Sequence, residues 1–112
     1  MAECVFCQIA AAKIPADIVF QDGSVMAFKD IHPKTPVHIL IIPRKHIVSL
    51  AEIAAEDLPV IAHMIEVVNT VAKQQGTGEA YKLVVNTGRE MGQVVMHLHL
   101  HLLGGKRINA LI

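Results

Sequence analysis

Val94-Val95-Met96-His97-Leu98-His99-Leu100-His101-Leu102-Leu103 alternates imidazoles with large apolar side chains. As a strand, this run places His97, His99 and His101 on one face and Met96, Leu98, Leu100 and Leu102 on the other, because strand side chains alternate with period two. The apolar row suits a core. The imidazole row needs a use, since three histidines in register are hard to assign to solvation alone. Same-face neighbours lie about 6.6 Å apart along a strand, so His97 and His101 stand about 13 Å apart at the backbone. A single metal ion shared by all three rings therefore requires a bent strand. The row also suits acid–base or nucleophilic work, because an imidazole titrates near neutrality and attacks as the neutral ring. His99, at the centre, has a histidine on each side to orient it and stabilise charge.

Working outward, Thr87 to Gln93 is a loop whose Gly88 and Gly92 let backbone N–H groups approach an anion. Tyr81 to Asn86 reads as a strand. Val37 to Ile42, closed by Pro43, is a strongly apolar strand that carries a fourth imidazole, His38. Asp17 to Gln21 and Val25 to Asp30 flank Asp22-Gly23-Ser24, a hairpin signal. Cys4 to Lys13 reads as a short helix ending before Pro15. Ser49-x-x-Glu52 resembles a capping box for a short turn. Glu56 to Gln75 repeats Leu58, Ile61, Ile65, Val68 and Ala72 at helical spacing, with Pro59 tolerated in the first turn and Gly76 as the stop. Helix, hairpin, strand, long helix, strand, strand predicts an α+β fold, an antiparallel sheet covered by helices.

A chain of 112 residues suits one domain. Its hydrophobic fraction of 53% is mildly above the usual value of about 45–50%, which fits a chain that also buries surface against a second subunit. Ten basic residues balance ten acidic ones. No basic stripe points to nucleic acid, while a small phosphate ligand needs only a local site. The absence of an apolar run of about 18 residues argues against a membrane span. The early Glu3, with no basic segment before it, argues against a signal peptide. A cytoplasmic, reducing location follows as the expectation, with no disulfide framework. Cys4-x-x-Cys7 is half of a zinc site, which needs two further ligands. Two small buried thiols, or a redox pair without a thioredoxin-like setting, are the other readings.

His97-Leu-His99-Leu-His101-Leu-Leu fits the pattern His-φ-His-φ-His-φ-φ, with φ apolar, and resembles the histidine-triad family. Gly92-Gln93, Leu103-Gly104-Gly105, Asp30-Ile31-His32-Pro33, Pro36-Val37-His38, Ile42-Pro43-Arg44-Lys45-His46 and Val84-Val85-Asn86 extend the likeness from Cys4 to Gly105. It implies a single histidine-triad domain over residues 1–112. The implied fold has about five antiparallel strands and two main helices, and two subunits join into a continuous sheet. The branch that it resembles most binds purine nucleotides and cleaves nucleoside phosphoramidates, such as an adenosine monophosphate joined to an amine. His99 resembles the nucleophile that forms a nucleotidyl-histidine intermediate. His101 resembles the contact to phosphate and leaving group, and His97 and His38 resemble supporting residues. Asp30 is similar to the ribose-binding carboxylate. Val5, Phe6, Phe28 and Ile31 resemble the wall around the base, and Asn86, Gly92, Gln93 and Val95 the surroundings of ribose and phosphate. In part of the family such cysteines hold structural zinc with histidines matching His46 and His97, which implies the set Cys4, Cys7, His46 and His97. No organic cofactor is implied.

Two positions depart from the pattern. Val94 stands where nucleotide-binding relatives often carry a hydroxyl donor, and the tail after Gly105 is short and lacks tryptophan, which bears on leaving-group preference. A purine-nucleotide-binding regulator with little turnover is the alternative function. A metal-dependent hydrolase using two triad histidines is a third, weakened by the lack of a partner carboxylate in the strand. His32 and His63 receive no site assignment.

Overall fold

The structure is a computed structural model and describes residues 3–108. The two most apolar runs become the middle of the sheet. β2 (Val25–Lys29) and β3 (Val37–Pro43) pair antiparallel from Val25–Pro43 to Lys29–Ile39 and are almost wholly buried. β1 (Ile18–Gln21) completes a hairpin with β2 across Asp22-Gly23-Ser24, where Asp22 Oδ1 accepts the Ser24 and Val25 N–H groups, each at 2.9 Å. β5 (Leu100–Gly104) lies against the other side of β3, and β4 (Lys82–Val84) closes the sheet in the order β1-β2-β3-β5-β4, antiparallel throughout. The α+β expectation of five strands and two main helices holds.

One face packs on the long helix α2 (Leu58–Gln74), which buries Met64, Val67, Val68, Val71 and Ala72 against Val25, Ala27, Ile39, Ile41, Leu98, Leu100 and Leu102. The helical periodicity therefore reads the correct face, although its Leu58 and Ile65 stay exposed. The helix starts later than Glu56 because a separate 3₁₀ turn, Ala55–Asp57, precedes it. Asp57 accepts the Ala54 N–H at 2.8 Å and the Lys45 ammonium at 2.6 Å. Ser49 caps its short turn through the Ala51 N–H, as expected of a cap. Among the described residues no helix is long and apolar enough to cross a membrane.

The other face is covered by α1 (Val5–Ala10), which buries Phe6 and Ile9 on Met26, Phe28, Leu40 and Ile42. It ends three residues before Lys13, because Ala12 takes a left-handed φ of 58° that turns the chain out. A six-residue helix has no stability of its own. It is held by that packing and by Arg44, whose guanidinium donates to the carbonyls of Ala10 (2.9 Å) and Asp22 (2.6 Å) and to Gln21 Oε1 (2.8 Å).

The expected ten-residue histidine strand is half that length. Pairing begins only at Leu100, and residues Val95 to His97 bend. Upstream of Leu100 the backbone is diverted to other partners. Leu98 N–H donates to Ile47 O at 2.6 Å. The carbonyls of Val95 and His97 accept from the side chains of Gln93 and His99, so no neighbouring strand receives them. The alternation of sides nonetheless survives, with Leu98, Leu100 and Leu102 on the α2 side, His97 and His99 beneath Phe6 of α1, and His101 against His38. β4 is likewise shorter than Tyr81–Asn86.

His63 on α2 tethers the helix to the hairpin. Its Nε2 lies 2.6 Å from Asp22 Oδ2 and its Nδ1 lies 3.0 Å from Glu66 Oε1. Carboxylates only accept, so both ring nitrogens carry hydrogen and the ring is an imidazolium. The hydrogen bond to Asp22, then that to Glu66, raises the His63 pKa above 6.5. His63 and the Ser24 and Val25 N–H groups lower Asp22 to about 2. The Asp22 contribution is present above pH 3.8 and is lost as pH falls through about 2. The His63 contribution is complete below pH 6.5 and is lost as pH rises through the higher folded value. Melting of wild type and His63→Ala should differ most near about pH 5.5 and converge near about pH 9. A difference that stays constant over that range rules the tether out.

Candidate active site

β3 and β5 pair so that His38 faces Leu103 and Leu40 faces His101. His38 and His101 thereby meet beneath the His32–Pro36 loop, with His38 Nε2 3.0 Å from His101 Nδ1. His38 Nδ1 accepts the backbone N–H of Lys34 at 3.0 Å. An N–H must donate, so the neutral His38 ring carries its hydrogen on Nε2 and passes it towards His101 Nδ1. His101 in turn keeps its own hydrogen on Nε2. Asp30 Oδ2, 3.4 Å from His38 Nε2, shares that donor, while Asp30 Oδ1 accepts the His32 N–H at 2.8 Å.

The same reasoning fixes His99 the other way round. Its Nδ1 lies 2.7 Å from the carbonyl oxygen of His97, which can only accept. Nδ1 therefore carries the hydrogen, and the electron pair sits on Nε2. Neither His99 Nε2 nor His101 Nε2 has a protein partner among the described residues, and no buried side-chain nitrogen or oxygen there is left without one. Both atoms are thus open to solvent or ligand. The two rings are 4.9 Å apart. One presents a nucleophilic electron pair and the other an N–H donor.

Burial keeps both rings neutral. It is the largest cause that lowers His99, and it pushes His101 down to about 4, helped by the charges of His99 and His38 and opposed by Asp30. His38 is also lowered, by burial first. A cavity of about 230 Å³ opens beside His38 and His101, with Lys34, Asn86, Met91 and Gly92 on its wall.

His97 leaves this group. Its Nε2 donates to Pro43 O at 2.8 Å, which puts the electron pair on Nδ1. Nδ1 lies 3.4 Å from Cys4 Sγ and 3.5 Å from Cys7 Sγ, and Cys7 Sγ lies 3.2 Å from His46 Nδ1. Cys4 Sγ also caps α1 by accepting the Cys7 N–H at 3.4 Å. Tetrahedral zinc, with bonds of about 2.3 Å to sulfur and about 2.0 Å to nitrogen, sets sulfur–nitrogen separations near 3.5 Å. The four donors, all within 4.8 Å of one another, fit zinc in spacing, and the Pro43 carbonyl orients His97 with its electron pair towards the site, as a metal-bound histidine requires. Asp30, His38 and His101 are equally close together but do not fit a metal. His38 has one electron pair, and the Lys34 N–H already takes it.

The structure thus separates the His97 ring from those of His99 and His101: it joins the cysteines, while its carbonyl holds His99. Of the remaining residues, Phe6 stacks edge-on against His99 (5.1 Å) and Phe28 (5.5 Å). Val95 packs on that same cluster. Val5 lies at the surface, and Ile31 is 85% exposed. Gln93 is buried with its amide committed, donating to Val48 O and Val95 O and accepting from Gly88 N–H. It shapes the loop that carries Gly92. Sequence reasoning missed Pro43 and Lys34, because each acts here through its backbone, which leaves no signal in residue type. Residues 109–112 of the tail lie outside the described residues.

The family described as Scavenger mRNA decapping enzyme C-term binding matches residues 3–109. Protein HitA of Neisseria gonorrhoeae is 45% identical over 104 residues, 93% of this chain and 97% of that protein. The chain belongs to the histidine-triad family. Among other relatives of this histidine-triad protein, the purine nucleoside phosphoramidase of Escherichia coli K12 is 43% identical over 111 residues, covering 98% of this chain and 93% of that one. A solved HIT family hydrolase from Clostridium thermocellum superposes with a TM-score of 0.96 at 40% identity, over 100% of this chain and 98% of that one.

Proposed function

We propose that this histidine-triad protein is a hydrolase of purine nucleoside 5′-phosphoramidates that works through a nucleotidyl-His99 intermediate. The observation that carries the reading is the opposite protonation of two adjacent rings, an electron pair on His99 Nε2 beside an N–H on His101 Nε2. His99 Nε2 attacks the α-phosphorus, and the His101 N–H hydrogen-bonds the phosphoryl group as charge builds on it. The P–N electron pair goes to nitrogen, which takes a proton from water and leaves as the amine. Water then attacks phosphorus, the His99–P bond breaks, and the proton returns to solvent with the nucleoside monophosphate. His38 fixes the protonation of His101, and the His97 carbonyl fixes that of His99.

Asp30, Val5, Phe6, Phe28 and Ile31 are assigned to ribose and base, and Asn86, Gly92, Gln93 and Val95 to ribose and phosphate. Cys4, Cys7, His46 and His97 would hold zinc, which would cross-link α1 to the sheet without entering the chemistry. We also assign a homodimer joined through the edge strand β4, where Leu83 is exposed, within a single domain of the cytoplasm. Sedimentation tests that assembly. Rapid quenching with adenosine phosphoramidate, followed by peptide mass spectrometry, should find adenylate on His99. Turnover with the adduct elsewhere overturns the mechanism. The exposed Val94 offers no hydroxyl to the phosphate and favours a second reading, a nucleotide-binding regulator. That reading calls for monophosphate binding without turnover.

A further inference from the structure

Lys34 has a second part to play besides its backbone N–H. Its loop is pinned at several points: His32 N–H to Asp30, Lys34 N–H to His38, and Thr35 Oγ1 to Val37 O at 2.5 Å. Pro33 and Pro36 stiffen it further. The Lys34 side chain is exposed, yet it lines the cavity beside His101. It makes no ion pair among the described residues, while Lys29 and Lys45 each pair with a carboxylate. The nearby carboxylate, Asp30, is already engaged by His32 N–H and His38. Among the described residues no acidic side chain lines the cavity, and His38 and His101 are held neutral by burial. Lys34 is therefore its one permanent charge among the described residues.

The cavity's position says what that charge would meet. Phe6 stacks on His99 at 5.1 Å, and the cavity is lined by His38 and His101 but by neither Phe6 nor His99, so it lies beyond His101 from them. In-line displacement sends the leaving nitrogen away from the attacking His99, towards the β3 side of that cavity, where Lys34 stands across His101 from Asn86 and Gly92, the residues assigned to ribose and phosphate. We propose that Lys34 is a specificity-determining residue whose ammonium receives a carboxylate on the departing amine, so that the favoured substrates are phosphoramidates of amino acids. The inference rests on the phosphoramidase reading. The nucleotide phosphate is the competing anion, and it is common to all substrates.

The test compares two adenosine phosphoramidates whose alkylamine leaving groups differ only by a terminal carboxylate. Wild type should have the higher kcat/KM for the carboxylate form. Lys34→Ala should lower the ratio of the two values about threefold to tenfold, Lys34→Glu should lower it further, and Lys34→Arg should restore it. Added salt should erode the wild-type preference. A general loss of activity cancels in the ratio. If wild type cleaves both substrates and Lys34→Glu leaves the ratio unchanged, the charge serves the phosphate or only solvent, and this inference alone falls. If wild type cleaves neither, the phosphoramidase reading falls and takes the inference with it.

Discussion

His99→Ala should lower phosphoramidate turnover on the order of 10⁴-fold or more, because no other ring presents an electron pair beside the His101 donor. His97 cannot substitute, since its free nitrogen faces Cys4 and Cys7. His38 cannot either, since its electron pair is taken by Lys34 N–H. Nucleoside monophosphate binding should survive, because the pocket assigned to base and ribose lies on other residues. Calorimetry on the variant separates a lost nucleophile from a lost fold. The wild-type pH profile carries a second signature. His99 is held below the ordinary histidine value and His101 near 4, both chiefly by burial. The two rings stay neutral as pH falls past 6.5, so kcat/KM should remain level through that pH and drop only in more acid solution. A variant within about tenfold of wild type, or a wild-type acid limb centred on an ordinary histidine pKa, defeats the mechanism.

Metal removal is the other large effect. Metal-replete protein should contain one zinc ion per chain, and Cys4→Ser/Cys7→Ser protein none. A site saturated at about 1,000 times its Kd adds about 4 kcal/mol to stability, which is about 15 °C in melting temperature for a domain of this size. The loss should start at α1, which is too short to stand alone and whose Cys4 and Cys7 contact His46 and His97. Without an ion, burial and the neighbouring Cys4 both raise Cys7, so Cys7 rests as the thiol. Binding should therefore release protons and strengthen with pH. Hydrogen exchange should show α1 opening first in stripped protein while α2 and β2–β3 stay protected. Replete protein with no zinc, or chelation that leaves the melting temperature unchanged, removes the site.

The apolar runs Val25–Phe28 and Val37–Ile42, the Asp22-Gly23 turn and the helical stripe of α2 were legible because each is a local pattern with one low-energy solution. The two-sided character of the histidine run was legible for the same reason, since alternation survives even where strand pairing does not. Its length was not. Where pairing begins depends on which groups take the carbonyls of Val95 and His97, and those groups are the Gln93 amide and the His99 ring. The imidazolium of His63 was invisible too, because Asp22 lies 41 residues away in the chain.

By itself, the sequence determined the α+β layout, the histidine row, its kinship with the histidine-triad family, and the residues from which a site could be built. Only the tertiary structure decided what each ring does. A histidine's chemistry depends on which nitrogen carries the hydrogen, and that follows from the partner of the other nitrogen. Pro43 O turns His97 towards the cysteines, His97 O leaves an electron pair on His99, and Lys34 N–H, acting through His38, leaves a donor on His101. All three partners are backbone groups, common to every residue type, so only the fold determines where they stand.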